Sequence, residues 1–430
     1  MSMVACGCTG DVVKTSCGRR RVVVTGLGIA SAIGLDENSV WQNLLAGRSG
    51  IGHLHAFDTT GYRIAIGAEV DDEAVQSRLS GLSRRKVDRA LDLALIAASD
   101  ALGQAGISTG SPDGEVRDVA VIFGSGVGSA QSLHSSFSTF FSKGVRSLRP
   151  TAVPRCMFNA ISAGLSIHFR LSGANYTVAS ACSSATNAIG IAFRMIRDGY
   201  AESALCGGSD ALFDPFFFGV WNNLGALSCN PDPLLACRPF AVDRDGCVLG
   251  EGAGALVLEP LERALQSGAR IRGEILGYGE TSDASHLTQP SAEGQAKAMR
   301  HALSDAALEP SAVGLISAHG TATRSNDLCE SQSIRTVLGE ETGRVPVIAN
   351  KSYFGHTLGA SGALETIVTL LAMEARMVPA NLNLESPDPE CDIRLVGGAC
   401  TAITAEVAMK NSFGFGGGNG VLILGRRQQN

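Results

Sequence analysis

Cys182 lies where a short β-type run breaks off and resumes as a helix rich in small residues, in the segment YTVASACSSATNAIG. Thr177 and Val178 favour a buried strand, and the small residues at helical spacing after Ser183 predict a helix that begins beside the cysteine. A thiol at a helix N-terminus faces unpaired N–H groups and the positive end of the helix dipole, which favour the thiolate. The pattern therefore predicts a nucleophile, although a lone cysteine is more often a small core residue.

Two histidines follow predicted strands in the second half of the chain. His319 comes at the end of a strand-like segment in GLISAHGTAT, and His356 follows Lys351 in NKSYFGH. Each histidine alone is more often a satisfied strand-end residue than a catalytic group. Each of these histidines and Cys182 alone is a weak signal, whereas the coincidence of all three is more specific.

The elements that position this set are typical of a compact α/β enzyme. The 430 residues, of which 45% are hydrophobic, 18% charged and 52 are glycine, suffice for two domains or one duplicated fold. Alternating strands and helices predict stacked α/β layers with mostly parallel strands. The segment around His356 has the same strand, turn and helix order as the segment around Cys182, which indicates an internal duplication.

The sequence also excludes several kinds of partner and site. A net charge of −6 gives no reason to expect nucleic acid or an anionic membrane as partner. The twelve cysteines are scattered without a CxxC pair, so neither a zinc site nor a disulfide framework is expected. No apolar run of membrane-spanning length and no signal peptide are recognised, and the expected location is the cytoplasm.

Three segments are expected along the chain. Residues 1–18 are predicted to be a disordered arm that contains three of the cysteines. Residues 19–265 form a first half with the candidate nucleophile, and residues 266–427 form a second half with both histidines. The glycine-punctuated TGLGIASAIG near the start is better explained by strand and turn packing than by dinucleotide binding, because no Tyr-x-x-x-Lys pair of a short-chain reductase accompanies it.

Cys182, His319 and His356, together with the glycine-rich NSFGFGGGNG, resemble the β-ketoacyl-acyl-carrier-protein synthases, the condensing enzymes of fatty-acid and polyketide synthesis. The likeness is greatest to elongating synthases of type II and to ketosynthase subunits of type II polyketide systems, and it extends from Arg20 to Leu424. It implies a thiolase-like duplicated fold in five α/β/α/β/α layers and an obligate dimer. It also implies that no metal or organic cofactor is needed, because the substrates are carried on the phosphopantetheine of acyl carrier protein.

The resemblance assigns a role to each central residue. Cys182 attacks an acyl thioester, and the backbone amides of Cys182 and Phe415 form the oxyanion hole, with Phe415 also gating the pocket. His319 and His356 donate hydrogen bonds to the enolate of malonyl-carrier protein. A neutral imidazole suits this role because it leaves no permanent charge in an apolar site. Lys351 orients the site electrostatically.

Further positions are carried over from the same resemblance. Thr321 and Thr323 match residues that bind the phosphopantetheine arm, and Asp327 and Glu330 match an acidic pair with a structural role behind the site. The acyl pocket is expected to be lined by Val127, Phe158 and Trp221. The face that docks the acidic carrier protein is expected at Arg84, Arg85, Lys86 and Arg146.

Three departures from the family pattern stand out. Gly418 replaces a threonine that commonly supports the glycine loop, which predicts a slower enzyme or a more mobile loop. Trp221 is bulkier than the phenylalanine often found there, which predicts a shorter or reshaped acyl pocket. The segment RSNDLCE resembles synthases of polyene-type pathways.

Two rival assignments are less favoured by the sequence. A thiolase would need a second reactive cysteine in the C-terminal glycine loop, and NSFGFGGGNG has none. A non-catalytic chain-length factor typically lacks the nucleophile, whereas this chain has it. The sequence leaves open whether the active chain forms a homodimer or pairs with a chain-length-factor-like subunit.

Overall fold

Ten strands form one mixed sheet in the computed structural model, which describes residues 18–82, 88–107 and 115–427. The strands of the first half, including a short hairpin, are β1 (Val22–Ser31), β2 (Gly52–His53), β3 (Ile66–Gly67), β4 (Ala120–Gly124), β5 (Asn175–Val178), β6 (Ala204–Asp210) and β7 (Gly252–Pro260). Its helices are α1 (Glu37–Leu45), α2 (Asp72–Ser80), α3 (Arg89–Gln104), α4 (Ala130–Lys143), α5 (Ala152–Cys156), α6 (Ala160–Phe169), α7 (Ser184–Arg197), α8 (Pro215–Leu224), α9 (Pro233–Ala236) and α10 (Leu261–Ser267).

The second half begins after α10. Its strands are β8 (Gly273–Ser282), β9 (Leu315–Ser317), β10 (Val347–Ile348), β11 (Met377–Val378), β12 (Thr401–Ala402), β13 (Val407–Gly414) and β14 (Gly418–Gly425). Its helices are α11 (Ala292–Asp305), α12 (Arg324–Leu338), α13 (Lys351–Phe354) and α14 (Ser361–Ala375). A domain boundary at residues 265/266 stays a prediction.

The strand order confirms the predicted duplication. The first half is arranged β5-β4-β6-β7-β1 and the second β10-β9-β13-β14-β8, so both follow the order third, second, fourth, fifth, first. The two sets join where β1 pairs antiparallel with β8 between Val22 and Ile275. The turn after β5, which contains Cys182, therefore corresponds to the turn after β10, which leads to His356.

The helices form the outer and central layers of the predicted α/β/α/β/α fold. Helix α3 packs on β1 and β7, α11 packs on β8 and β14, and α7 and α14 lie against each other between the two sets of strands. All ten residues of β1 are buried, as expected for a strand covered on both faces. A Cβ at Gly26 or Gly28 would lie within 2 Å of α3 carbonyl oxygens, so these glycines permit close helix packing.

The prediction of mostly parallel strands is wrong. Among the ten strands, β5-β4-β6 and β10-β9-β13 pair in parallel, while the pairings that involve β7, β1, β8 and β14 are antiparallel. The cause in the second half is the glycine-rich segment Phe415–Gly417, which joins β13 to β14 as a tight hairpin instead of a helical crossover.

Two expectations about apolar segments also need correction. Thr177 and Val178 lie in the edge strand β5 and are only half-buried, not fully buried. The segment Leu358–Ala375 is long and apolar enough to span a membrane, which the sequence analysis did not recognise. Because 89% of it is buried inside the protein, it serves here as a core helix.

Candidate active site

Cys182 is held in a strained turn between β5 and α7. Ala181 has a φ of +52°, and residues Ala181–Ser183 form a single 3₁₀ turn that leads directly into the helix. The Ser184 hydroxyl accepts a hydrogen bond from Ser180 N (2.9 Å) and donates one to Ala181 O (2.6 Å), which fixes the turn. The thiol is only 6% exposed and points into a pocket. Strain at one residue is thus tolerated because neighbouring side chains hold the loop.

The helix N-terminus favours the thiolate of Cys182, but burial of the sulfur acts in the opposite direction. Burial raises the pKa of the Cys182 thiol to about 11, and the nearby Lys351 charge and the Phe415 N–H only partly offset this effect. The helix N-terminus is therefore outweighed by the loss of water around the sulfur. A neighbouring base is needed to take the thiol proton.

His356 is placed to be that base. Its Nε2 lies 3.0 Å from Cys182 Sγ, and its Nδ1 lies 3.0 Å from Ser361 Oγ. Thr357 Oγ1 lies 3.1 Å from the same serine hydroxyl. Since a hydroxyl can donate or accept, Ser361 can satisfy Nδ1 in either tautomer of His356. The imidazole can therefore accept a proton at Nε2 in one step and donate one in another.

His319 is oriented by charged groups on both sides. The Glu330 carboxylate accepts hydrogen bonds from His319 N (2.8 Å) and Gly320 N (2.9 Å), fixing the backbone after β9. Lys351 Nζ lies 3.4 Å from His319 Nδ1 and donates to His319 O at 2.5 Å. An ammonium has only protons to offer, so Nδ1 is the acceptor and the ring proton is on Nε2. The ring meets that of His356 edge-on, 5.4 Å between centroids.

Both histidines are held in the neutral form. Burial, followed by the charge of Lys351, lowers the pKa of His319 and of His356 well below the usual range, and Lys410 contributes in the same direction. The site therefore presents two neutral imidazoles beside a neutral thiol. This arrangement can pass one proton between sulfur and nitrogen and can donate hydrogen bonds to an oxyanion.

Lys351 belongs to a buried ion cluster that the sequence analysis missed in part. Its Nζ lies 2.5 Å from Glu365 Oε1, and the other oxygen of that carboxylate lies 2.9 Å from Lys410 Nζ. All three side chains are fully buried. Glu365 lies among apolar residues of α14, and Lys410 lies in β13, directly after the apolar residues Val407–Met409. A charged residue inside an otherwise apolar run was the signal that could have identified both.

The β13–β14 hairpin brings Phe415 to the cysteine. Its backbone N–H donates toward the Cys182 sulfur, and a Cβ at Gly414 would lie 3.1 Å from Cys182 N, so glycine permits this close approach. The Phe415 ring is 39% exposed and stacks on Trp221, with centroids 5.8 Å apart and planes 13° apart. Two backbone N–H groups, those of Cys182 and Phe415, thus lie beside the nucleophile.

A pocket opens over the three reactive groups. Seven of the predicted site residues line it, namely Cys182, Trp221, His319, Thr321, Thr323, His356 and Phe415. Thr321 and Thr323 share a 2.8 Å hydrogen bond at its wall, and Thr323 also caps α12. Asp327 and Glu330 lie buried behind the wall, where Asp327 accepts from Phe240 N at 2.8 Å.

The remaining predicted residues lie elsewhere. Val127 packs in the same apolar cluster as Cys182 and Trp221 but does not line the pocket. Phe158 is 62% exposed on the surface of this chain and does not line the pocket either. Arg146 is exposed in a turn after α4. Arg84, Arg85 and Lys86 lie outside the described residues, as does the predicted N-terminal arm apart from Gly18.

Asp210 at the end of β6 is a third residue that the sequence analysis missed, after Glu365 and Lys410. Its carboxylate accepts hydrogen bonds from Ser125 Oγ (2.6 Å), Gly126 N (2.8 Å) and Gly359 N (2.7 Å). Burial raises its pKa to about 6 despite these donors. It fastens the loop after β4 to the loop after His356. The signal was an aspartate that ends a strand of small buried residues.

Within the described residues, one group has the ligand types and spacing to hold a metal ion. The sulfur of Cys182 and one nitrogen each of His319 and His356 lie within 4.8 Å of one another. The Lys351 ammonium, 3.4 Å from His319 Nδ1, opposes a dication there. The same three groups are arranged for proton and acyl transfer.

Comparison with known proteins relates this geometry to one family. Residues 19–264 match the model of the beta-ketoacyl synthase N-terminal domain, and residues 272–385 match that of the C-terminal domain. The 3-oxoacyl-acyl-carrier-protein synthase 2 of Synechocystis sp. is 39% identical over 413 residues, covering 95% of this chain and 99% of the relative.

Two solved structures are similar over 95% of this chain and 100% of theirs. One is the ishigamide ketosynthase/chain length factor, with a TM-score of 0.87 and 36% identity. The other is a type II polyketide acyl-carrier protein in complex with its ketosynthase bound to the hexaketide, also with a TM-score of 0.87 and with 30% identity.

Proposed function

The chain belongs to the β-ketoacyl synthase family, condensing enzymes of fatty-acid or polyketide synthesis, and we propose that it joins an acyl chain carried on Cys182 to malonyl-carrier protein. The observation that carries this assignment is the 3.0 Å contact between Cys182 Sγ and His356 Nε2, beside His319 and the Phe415 N–H. Enzymes of this family use substrates carried on phosphopantetheine and need no separate cofactor.

The first step loads the acyl chain. Cys182 Sγ attacks the carbonyl carbon of an acyl-carrier-protein thioester while its proton moves to His356 Nε2. The oxyanion of the tetrahedral intermediate accepts hydrogen bonds from the N–H groups of Cys182 and Phe415. The bond to the phosphopantetheine sulfur then breaks, and that sulfur leaves with the proton from His356. The products are acyl-Cys182 and carrier protein with a free thiol.

The second step forms the carbon–carbon bond. Malonyl-carrier protein loses carbon dioxide, and the oxygen of the resulting thioester enolate accepts hydrogen bonds from Nε2–H of His319 and of His356. The enolate carbon attacks the acyl-Cys182 carbonyl, the carbon–sulfur bond breaks, and a β-ketoacyl chain longer by two carbons leaves on the carrier protein. The Cys182 sulfur regains a proton from solvent. Thr321 and Thr323, at the pocket wall, bind the phosphopantetheine arm.

The partners are proposed from the charge pattern of the sequence and from the exposed apolar residues. The basic residues Arg84, Arg85, Lys86 and Arg146 dock the acidic carrier protein. This is supported by their positive charge in a chain whose net charge is −6, because a local basic group attracts an acidic partner. A carrier protein is present with its ketosynthase in one of the similar structures. A cytoplasmic location remains part of the proposal.

A second subunit covers the face formed by α4, α5 and the edge strand β5. Large apolar side chains are exposed on these helices and their loops: Phe137, Phe140, Phe141, Val145, Val153, Met157 and Phe158. Strand β5 ends the sheet with one side unpaired among the described strands. Such a face is typical of an interface. The partner is a second copy or a chain-length-factor-like subunit, the pairing named for one similar structure.

Acyl loading tests the proposed function directly. The purified protein is incubated with a panel of saturated and polyunsaturated acyl-carrier proteins, and adducts are mapped by intact-protein and peptide mass spectrometry. We expect the acyl mass on the peptide that contains Cys182, and the preferred chain separates fatty-acid from polyene synthesis. If the protein alone stays unmodified, the panel is repeated after co-expression with a chain-length-factor-like subunit.

The control is Cys182→Ala, which removes only the nucleophile. We expect no adduct and no condensation, while decarboxylation of malonyl-carrier protein continues because His319, His356 and the Phe415 amide remain. Condensation by the Cys182→Ala protein would contradict the mechanism.

A further inference from the structure

Lys410 is a fully buried lysine on β13 that takes no part in the two steps above. Its Nζ donates to Asn411 O at 2.9 Å, lies 3.3 Å from Thr186 Oγ1, and also contacts the Ser412 hydroxyl. Thr186 belongs to α7, the helix that begins at the cysteine. Lys410 therefore links the nucleophile helix to the strand that leads to Phe415.

The charge balance around Lys410 is unusual. One carboxylate, that of Glu365, lies between two ammonium groups, 2.5 Å from Lys351 Nζ and 2.9 Å from Lys410 Nζ. A buried ion pair normally matches one cation with one anion, because an unpaired charge away from water is costly. With both lysines protonated, Glu365 and the two lysines carry a formal charge of +1, although burial lowers the pKa of Lys410 and the Glu330 carboxylate acts in the opposite direction.

Lys351 connects this surplus charge to the reacting groups. Its Nζ also contacts the carbonyl oxygen and Nδ1 of His319, at 2.5 and 3.4 Å. One oxygen of Glu365 thus holds Lys351 in place, and Lys410 contacts the other oxygen of the same carboxylate. Removal of Lys410 would leave Glu365 with one cation and would reduce the positive potential at both imidazoles.

We propose that Lys410 is a positioning residue of the condensing reaction, which fixes Glu365 and Lys351 and adds to the positive potential at His319 and His356. The inference rests on the proposed function. Neutrality matters because His356 must be free to accept the Cys182 proton at Nε2. Both imidazoles must also donate to the enolate without holding a fixed charge there.

Other charged or titratable groups face the histidines from every neighbouring element. Lys351 on α13 and the Cys182 thiol contact the imidazole rings, and Glu330 on α12 accepts from the His319 backbone N–H. Glu365 on α14 contacts Lys351, and Asp210 on β6 accepts from Gly359, three residues after His356. Burial is the largest cause that lowers the pKa of both histidines, followed by Lys351, and Lys410 acts in the same direction. Glu365, which opposes the lysines, should act in the reverse direction.

The test compares Lys410→Met with Glu365→Gln in the full chain labelled with [¹³Cε1]-histidine. Titration midpoints of His319 and His356 are followed by NMR without substrate. Loss of the Lys410 charge should move the midpoints upward by roughly one pH unit, and loss of the Glu365 charge should move them downward. In the malonyl-carrier-protein decarboxylation assay, the acid limb of the Lys410→Met profile should move to higher pH by the same amount.

A matched control is Lys297→Met, which removes the same charge from an exposed position on α11 and should leave the midpoints unchanged. A folded Lys410→Met protein with wild-type midpoints would overturn the proposal, as would shifts of the same sign in both test variants. If Lys410→Met does not fold, Lys410→Gln keeps a hydrogen-bond donor and is titrated instead. If neither folds, Lys410 is structural and the proposal fails.

The two hypotheses can fail separately. If the two variants shift the histidine midpoints in opposite directions but the wild-type protein does not decarboxylate malonyl-carrier protein, the electrostatic role of Lys410 is retained and the proposed reaction is rejected. If the wild-type protein decarboxylates malonyl-carrier protein but Lys410→Met leaves the histidine midpoints unchanged, the proposed reaction is retained and the electrostatic role of Lys410 is rejected.

Discussion

At the scale of single residues, the reactivity of Cys182 depends on a neighbour instead of on its own acidity. The thiol is almost fully buried, and burial raises its pKa to about 11. Only a small fraction is thiolate at neutral pH, so the 3.0 Å contact with His356 provides the route by which the proton leaves. The helix N-terminus lowers the barrier to attack but does not by itself ionise the sulfur.

Alkylation kinetics check this acidity. The rate of Cys182 carbamidomethylation by iodoacetamide, followed on its peptide by mass spectrometry, should rise about tenfold per pH unit from pH 7 to 10, because the thiolate fraction keeps growing below a pKa of about 11. N-acetylcysteine, measured in parallel, should level off near its ordinary pKa of about 8.5. A plateau for Cys182 at or below neutral pH would indicate a resting thiolate–imidazolium pair and contradict this account.

Which residues the sequence could reveal follows from how local their signal is. Cys182, His319 and His356 each lie in a short turn that is formed by one continuous segment of the chain. The structure brings the three side chains into one pocket. The degree of burial of Cys182 depends on packing from both halves, so the sequence alone could not show how strongly burial opposes its ionisation. The partners of Lys351 come from α14 and β13, and no spacing along the chain reports that contact.

At the scale of elements, the β13–β14 hairpin determines the oxyanion geometry. In the second half, this hairpin made the prediction of mostly parallel strands wrong, because alternating strands and helices in a sequence do not reveal which strands pair by a tight turn. The same connection places the Phe415 N–H beside the sulfur. Gly418, where the family resemblance predicts threonine, begins β14 with an ordinary backbone (φ −75°).

Gly418→Thr tests whether this loop lacks support. A Cβ at Gly418 would lie 3.4 Å from Ser183 Oγ, an ordinary contact, so threonine fits. We expect an increase of about 0.4–1 kcal/mol in the free energy of unfolding in urea, chiefly because the unfolded chain loses freedom. The acyl-loading rate should be equal to or faster than that of the wild type.

Gly417→Thr is the matched control for this prediction. Gly417 has a φ of +75°, and a Cβ there would lie 2.7 Å from Asp283 Cβ, so the same substitution one residue earlier should destabilise the protein and slow loading. Equal destabilisation by the two variants would show that the hairpin tolerates no side chain at either position.

At the scale of the whole molecule, the exposed apolar residues on α4 and α5 support the proposed second subunit. Phe158 was expected in the acyl pocket from the family pattern, yet it is 62% exposed on this chain. Coverage by a second subunit would bury it together with the phenylalanines of α4. The sequence could indicate that a dimer forms, but not which surface is used, because exposed and buried apolar residues have the same appearance in a sequence.

Phe141→Glu tests this face. The side chain is 80% exposed on the single chain, so the fold should tolerate glutamate, whereas a charge buried in an interface should dissociate the subunits. Light scattering after size-exclusion chromatography should report a dimer for wild type and a single chain for the variant. Tyr200→Glu alters a residue that is 82% exposed at the opposite end of the sheet and should remain dimeric. A wild-type protein that stays a single chain at micromolar concentration, both alone and after co-expression with a chain-length-factor-like subunit, would contradict the interface.

The repeated strand order has a consequence for how such a site could arise. Cys182 and His356 follow equivalent strands, β5 and β10, and precede the equivalent helices α7 and α14, which lie against each other. In an ancestor with two identical copies, the turn after β5 and the turn after β10 would have been the same and would have faced each other. A mutation in one turn would then have left the other turn intact. Divergence could then assign the nucleophile to one copy and its base to the other. On this account, the two halves descend from one gene segment, and each half supplies only part of the catalytic pair: the nucleophile from the first and its base from the second.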